Sequence, residues 1–203
     1  ETIRAAGGDV STDASGNVTA IDMASDRTSA SDEVIAAVLQ FPKIKTLKLA
    51  AGEISDKSIE GLKAFTSLEE LMLQGLPIED IQLMDMLAGM KELNRLTLRR
   101  LSRITDQGIQ SIGSLPKLRI LALIEMSGIT GKSIESLRPA MQLEILDLRN
   151  CGGLTRDDFA RLTELSQLKD LKLAGPAVDD DVLTILKAIP KLEAVTIEDA
   201  QIT

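Results

Sequence analysis

An apolar pattern recurs along the whole sequence at intervals of 24 to 26 residues. Within each copy, apolar residues occupy the first, fourth and sixth positions of a six-residue segment of the form LxxLxL, and the positions between them are mostly polar. The middle apolar residue of successive copies falls at positions 21, 47, 71, 96, 121, 146, 171 and 195. So regular a spacing indicates an internal structural repeat with eight copies.

Each copy predicts one short strand followed by one short helix. The last three positions of LxxLxL alternate between apolar and polar residues, which is the period of a half-buried strand. Pairs of apolar residues three positions apart follow, as in Ile59 and Leu62, and this spacing is helical. Thr155 and Asp158 have the form of a capping box. Candidate helix caps precede the helical segments at Ser55, Thr105, Thr155 and Asp179.

A repeat of this size cannot cover its own apolar face, so the repeats must stack and share one core. The predicted fold is therefore an α/β solenoid in a single domain, with parallel strands on the concave face and helices on the convex face. Helices are wider than strands, which curves the stack towards the strands. We assign residues 18–203 to eight repeats, the last one incomplete, and residues 1–17 to an N-terminal β cap.

The repeats resemble those of the leucine-rich repeat family. The segment Leu143–Thr155, with Cys151 in its turn, is similar to the line LxxLxLxxCxxIT of the cysteine-containing and related bacterial subtypes, and Ile104–Ile109 matches the continuation ITDxGL. Other repeats carry Gly52, Leu76 or Met126 in place of Cys151, so the resemblance is to the family more than to one subtype. It implies a horseshoe-shaped solenoid that binds another protein.

The two ends of the sequence suggest different expectations. Asp13–Asn17 is a turn-rich joint between two apolar runs, which fits an N-terminal cap over the first repeat. Gln201–Thr203 stops where the next helix is expected, so we expect either further chain or a partner on this edge. The sequence begins at Glu1 and not at Met, so the N-terminus is expected to be trimmed, and both an exported and a cytoplasmic location stay open.

Composition removes several functional classes. The chain has no His, one Cys, no Trp, no Tyr and three Phe, so the usual general base, cysteine-based zinc clusters and stacking platforms are missing. The net charge of −8 disfavours nucleic acid and anionic membranes as partners, and no apolar run is long enough to span a bilayer. We predict no enzymatic activity, no catalytic residues, no bound metal and no cofactor.

Three groups of residues have side chains that could be reactive or bind a metal, but a structural role explains each of them better. Cys151 has no His to activate it and lies where the repeat predicts a small buried residue. Asp9, Ser11 and Asp13 lack the closing Glu of a calcium loop. Asp179–Asp181 begins a predicted helix, where carboxylates are favoured by the helix dipole.

The concave face carries the candidate binding residues. Outward-facing positions are the third, fifth and seventh of each LxxLxLx unit, and equivalent positions on adjacent strands lie about 4.8 Å apart. One predicted row contains Arg95, Ile120 and Ile145. The other contains Arg99, Ile124 and Arg149.

The fifth repeat, whose strand includes Ile120 and Ile124, is apolar on both faces although its outer face should be open to solvent. Exposed branched residues beside Arg are typical of protein interfaces. We therefore predict non-enzymatic protein recognition with Ile120, Ile124 and Ile145 as apolar anchors. Arg95, Arg99 and Arg149 are expected to bind acidic or carbonyl groups. The alternative is a scaffold that stacks or self-associates through the C-terminal edge.

Overall fold

The computed structural model describes residues 1–25, 28–50 and 52–203 as a row of strands backed by short helices. All eight predicted repeat strands are present. Within these ranges, the nine strands are β1 (Asp9–Thr12), β2 (Val18–Met23), β3 (Thr46–Ala50), β4 (Glu70–Gln74), β5 (Arg95–Arg99), β6 (Ile120–Ile124), β7 (Ile145–Arg149), β8 (Asp170–Ala174) and β9 (Ala194–Glu198).

The segments that connect the strands form short helices of two types. The α-helices are α1 (Thr2–Ala5), α2 (Asp32–Val38), α3 (Asp56–Gly61), α4 (Asp80–Ala88), α5 (Asp106–Ile109), α6 (Gly131–Ser136) and α7 (Asp180–Leu186). The 3-10 helices span Leu62–Ala64, Ile112–Ser114 and Arg156–Glu164. The helical part of the sixth repeat is thus a 3-10 helix. The apolar spacing in the sequence does not distinguish a 3-10 helix from an α-helix.

The strands form one sheet in chain order, β1 to β9. Strands β2 to β9 are parallel, and each pairs with the next one along the chain. The middle apolar residue of each repeat lies opposite its equivalent, so that Leu71, Leu96 and Leu121 follow one another across three strands. The predicted parallel solenoid is confirmed, and the unit of the stack is one repeat.

The core lies between the sheet and the helices. The sixth-position leucines, such as Leu73, Leu98 and Leu123, have no exposed surface. Apolar residues of the helical segments cover them from the other side, among them Ile109 and Leu162. The opposite face of the sheet is lined by the third, fifth and seventh positions of each repeat, and we call it the concave face.

The N-terminal segment combines a helix with a strand. Strand β1 pairs with β2 in antiparallel orientation, and Asp13 closes the hairpin by accepting hydrogen bonds from the backbone N–H groups of Ser15 and Asn17. Residues 1–17 also contain a helix that was not predicted, α1, which precedes β1 and buries Ile3 against the core. Gly8 permits this packing, since a Cβ there would lie 2.0 Å from Sδ of Met23.

All four predicted helix caps are present. The side chains of Ser55, Thr105 and Asp179 each accept a backbone N–H at the start of their helix. Thr155 and Asp158 form the predicted capping box. Each cap satisfies N–H groups that have no partner inside the helix.

Aspartates at the first position of α2, α4 and α5 join the cap of the following helix to the preceding repeat. Asp80 accepts the N–H and hydroxyl of Thr105 at 2.8 and 2.6 Å. Asp106 does the same for Thr130 at 2.8 and 2.7 Å, and it also accepts the hydroxyl of Ser133. These aspartates form a second set of contacts between repeats, along the edge where the helices begin.

The series of aspartates at helix starts is interrupted in the fifth repeat, where Gly131 occupies the first position of α6. Asp158 of the sixth repeat fills the space instead, because a Cβ on Gly131 would lie 1.9 Å from its Oδ1. Asp158 then accepts the N–H and hydroxyl of Thr155 from within its own repeat, at 2.9 and 2.7 Å. The N–H and hydroxyl of Thr155 therefore have a partner, but that partner belongs to the sixth repeat. No aspartate at position 131 links the Thr155 cap to the fifth repeat.

We predict that Asp106→Ala lowers the free energy of unfolding by about 2 kcal/mol, because it removes three hydrogen bonds to a partly buried carboxylate. Urea unfolding at neutral pH measures the change. Asp85→Ala on the exposed side of α4 is the matched control and should leave the free energy of unfolding nearly unchanged. Equal effects of the two substitutions would show that the aspartate link does not stabilise the stack.

Candidate protein-interaction surface

The first predicted row of binding residues is formed by the sheet register. Arg95 on β5 lies opposite Ile120 on β6, and Ile120 lies opposite Ile145 on β7. The three side chains therefore share one row across the concave face. This part of the geometric prediction is confirmed.

The second predicted row follows the register through its first pair. Arg99 lies opposite Ile124. The ladder between β6 and β7 ends two pairs before Ile124 and Arg149, at Ala122 and Asp147. The backbone N–H of Glu125 still donates to the carbonyl of Arg149 at 2.9 Å, which keeps the two strand ends side by side. All six predicted binding residues thus lie on β5, β6 and β7.

The isoleucines are less exposed than the sequence suggests. We call Ile120, Ile124 and Ile145 the isoleucine patch, and each of them is partly buried on the concave face. Strands about 4.8 Å apart leave little room between neighbouring side chains, so each row covers part of the next. The isoleucine patch is therefore a partly covered apolar surface, and its side chains do not project far beyond the neighbouring rows.

Arg99 is held by an acidic residue of the next repeat. Its Nε and Nη2 donate to Oε1 of Glu125 at 3.0 and 2.6 Å, and Nε of Arg100 donates to Oε2 at 2.5 Å. These hydrogen bonds from Arg100 and Arg99 lower the pKa of Glu125 to about 2. One carboxylate is therefore shared by two guanidinium groups and stays ionised at neutral pH.

Arg149 is held more firmly than Arg99. It donates to both carboxylate oxygens of Asp147, with Nη2 at 2.9 Å from Oδ2, and Asp147 is buried. Its Nη1 also donates to Oε1 of Glu198 at 3.0 Å, so the side chain spans from β7 to β9 across Ala174 of β8. The hydrogen bonds with Asp147 contribute most to the raised pKa of the Arg149 guanidinium.

Arg95 has the weakest intramolecular contact of the three arginines. Its Nε lies 4.0 Å from Oε1 of Glu70, and its side chain is 44% exposed. Glu70 also lies 3.7 Å from Nζ of Lys48, which in turn lies 3.4 Å from Oδ2 of Asp22. Opposite charges therefore alternate across the concave face from β2 to β5.

The acidic partners of the arginines were not predicted from the sequence. Glu125 binds the guanidinium group of Arg99, and Asp147 and Glu198 bind that of Arg149. The sequence had suggested that these guanidinium groups have no acidic partner within the chain. The repeat period contains the signal that would have found two of them. Arg99 and Glu125 are 26 residues apart, and Arg149 and Glu198 are 49 residues apart, which are one and two repeats.

Cys151 is a structural residue in its turn. It is 7% exposed, and its thiol donates to the carbonyl of Leu123 at 3.0 Å. Burial raises the pKa of the thiol to about 11, so the nucleophilic thiolate is scarce at neutral pH.

The acidic residues considered as calcium ligands are used locally. Asp13 closes the β1–β2 hairpin, and Asp179 caps α7. Within the described ranges, no group of three or more His, Cys, Asp or Glu side chains is arranged to hold a metal ion. None of the helices in the same ranges has the length and apolar character that a transmembrane crossing needs.

Comparison with known families identifies the repeat. Residues 10–125 match the family described as FBD-associated F-box protein At5g56370, LRR repeats. The chain belongs to the leucine-rich repeat family. Proteins of this family are typically non-enzymatic binding proteins, and the leucine-rich repeat fold commonly mediates protein–protein interaction.

Solved structures show the same fold at low sequence identity. Internalin C2 from Listeria monocytogenes is 24% identical with a TM-score of 0.67, and the match covers 92% of this chain and 74% of that one. Internalin InlF from the same organism is 23% identical with a TM-score of 0.60, over 82% of this chain and 45% of that one. The leucine-rich repeat chain described here therefore corresponds to less than half of InlF.

A third similar structure is the yeast complex of Rad7 and Elc1. It is 15% identical with a TM-score of 0.52, and the match covers 86% of this chain and 62% of that one. No curated protein matches the chain in sequence. At these identities the structural neighbours establish the leucine-rich repeat fold and leave the ligand open.

We predict that Glu125→Gln destabilises the protein at neutral pH and that the difference from wild type shrinks as the pH falls from about 4.5 towards 2. The reason is that a carboxylate with a lowered pKa stabilises the fold above its unfolded-state pKa and loses this effect as it is protonated in the folded state. Urea midpoints measured across this pH range test the prediction. Glu60→Gln, at an exposed residue of α3, is the control. A difference in urea midpoint between Glu125→Gln and wild type that does not vary with pH would contradict the prediction.

Proposed function

We propose that this leucine-rich repeat protein recognises another protein through the concave face of β5, β6 and β7, without catalysis. Support comes from the family, whose fold commonly mediates protein–protein interaction. Because fold alone does not determine function, the proposal depends on this surface and not on the likeness to solved structures.

The isoleucine patch is the observation that carries the proposal. Ile120, Ile124 and Ile145 replace polar residues at outward positions of two adjacent strands, where the neighbouring repeats carry Arg95, Arg99 and Asp170. Apolar contact area surrounded by polar groups is the typical organisation of a protein interface. The patch is small, so we expect one or two apolar side chains of the partner to dock on it.

The flanking arginines contribute orientation in this proposal. A guanidinium has five N–H donors, and the contacts of Arg99 with Glu125 use only some of them. Glu125 and Asp147 hold Arg99 and Arg149 in place beside the patch, so less side-chain freedom is lost when a partner carbonyl or carboxylate binds. Arg95 is the most exposed of the three arginines and the least constrained.

We predict that Ile120→Glu/Ile124→Glu abolishes capture of the specific partner from cell extract, since it places two charges on the apolar contact surface. Captured proteins are identified by mass spectrometry, and circular dichroism confirms that the variant is folded. Ile81→Glu is the matched control, because Ile81 is an apolar residue of α4 that is 57% exposed and lies on the helical side. We expect it to capture the same partner as wild type.

The opposite pattern would place binding elsewhere. If the concave variant captures the same proteins as wild type, or if Ile81→Glu loses them, recognition does not depend on the isoleucine patch.

Assembly through the last repeat is a second candidate, favoured by exposed apolar residues on β9 and beyond it. Val195 and Ile202 are 40% and 43% exposed, whereas the residues equivalent to Val195 in the inner repeats are fully buried. A second copy of the chain could cover them. In this candidate function the chain is a scaffold that assembles through its C-terminal edge.

We predict for this second candidate that the mass measured by light scattering rises with protein concentration, because self-association follows mass action. Val195→Glu should return the protein to a monomer. A constant monomer mass for wild type over the concentration range would rule out self-association through this edge.

A further inference from the structure

The fourth repeat places four arginines along one line of the surface, which we call the arginine stripe: Arg95, Arg99, Arg100 and Arg103. The stripe runs from the concave face at β5, through the turn at Arg100, to the loop that leads into α5. The equivalent turn positions in other repeats hold Gly75, Glu125, Asn150 and Gly175. The stripe is thus a feature of this repeat in a chain whose net charge is −8.

Carboxylates neutralise the arginine stripe only in part. Within the described residues, its ion pairs involve three carboxylates, because Arg99 and Arg100 share Glu125, Arg103 pairs with Glu79, and Arg95 approaches Glu70. Glu70 is also shared with Lys48. The four positive charges of the stripe are therefore paired with three carboxylates, one of which is shared with a lysine. The stripe retains a net positive charge.

The outer end of the stripe is accessible. The side chains of Arg100 and Arg103 are 54% and 58% exposed, and the pair between Arg103 and Glu79 has both partners more than half exposed at 3.3 Å. Ion pairs as exposed as this contribute little stability, so an incoming carboxylate can compete with Glu79.

A depression adjoins these two arginines. It has a volume of about 500 Å³ and is bounded on one side by Arg100, Ser102 and Arg103. The other side is formed by residues 52–55 and 75–77 of the preceding turns, which include the acidic Glu53. Gly75 also lies in this wall.

We propose that the arginine stripe binds an acidic segment of the partner protein, with its carboxylates on Arg100 and Arg103 and an apolar residue of the same segment on the isoleucine patch. Arg99, which lies opposite Ile124 and shares Glu125 with Arg100, connects the two surfaces. The positive charge of the stripe favours an acidic partner segment, because guanidinium groups bind carboxylates through paired N–H donors. The apolar part of the proposal rests on the proposed function.

A labelled hexaglutamate peptide tests the acidic part alone. Binding is measured by fluorescence anisotropy at about 0.1 M salt, where the screening length of about 10 Å suppresses repulsion from distant acidic residues. We expect Arg100→Gly/Arg103→Glu to weaken binding at least about tenfold, because it removes charge-assisted hydrogen bonds. Glycine at position 100 keeps the turn, where φ is 53°.

Arg138→Glu is the matched control. Arg138 is an exposed arginine of the helical side that pairs with Glu135 and Glu164, so its reversal removes comparable ion pairs away from the stripe. Binding within about twofold of wild type is expected for it. Equal binding by all three proteins, no binding by wild type, or tighter binding of a single-stranded DNA oligonucleotide than of hexaglutamate would overturn the proposal.

A second peptide, with a leucine before the glutamates, separates the two proposals. We expect the leucine to raise the affinity of wild type but not that of Ile120→Glu/Ile124→Glu. If the leucine has no effect while Arg100→Gly/Arg103→Glu still abolishes binding, the apolar role of the patch fails and the acidic site stands. If only the leucine matters, the arginine stripe is not a binding site.

Discussion

The parallel pairing of each strand with the next one along the chain is the constraint on which the structure depends. A repeat of 24 to 26 residues has one apolar side to its strand and no means of covering it alone. Pairing places Leu96 between Leu71 and Leu121 and leaves all three without solvent exposure. The same register decides which side chains meet on the concave face, so core and candidate binding surface are set by one alignment.

Two sets of contacts join successive repeats. The sheet joins them through backbone hydrogen bonds, and the aspartates at the helix starts join them through side chains, as Asp80 does with Thr105 and Asp106 with Thr130. At Gly131 the second set changes, because Asp158 serves its own repeat. At this junction the side-chain link is instead an ion pair between Arg138 of the fifth repeat and Glu164 of the sixth.

The fold could be predicted from the sequence because its information is local and repeated eight times. Strand positions, caps such as Ser55 and Thr105, and the row of Arg95, Ile120 and Ile145 all follow from periodicity. The helix at Thr2–Ala5 and the 3-10 helix at Arg156–Glu164 did not follow from it, since one has no repeated counterpart and the other shares its apolar spacing with an α-helix.

The candidate site was predicted in position but not in its electrostatics. Periodicity shows that Arg99 and Arg149 face outwards, but it does not show that the flexible side chains of Glu125 and Glu198 reach them across one and two repeats. It also does not show how much neighbouring rows cover the isoleucines. Both properties depend on side-chain conformations that follow only from the packed structure.

Isoleucine methyl NMR on the complex with the captured partner tests concave recognition most directly. Ile120, Ile124 and Ile145 lie on the proposed surface, while Ile81 lies on the helical side and Ile202 near the last strand, so one labelled residue type reports on all three regions. We expect the largest shift changes at the three concave methyl groups, with Ile81 and Ile202 unchanged. Shift changes confined to Ile81 or Ile202 would contradict recognition through the concave face.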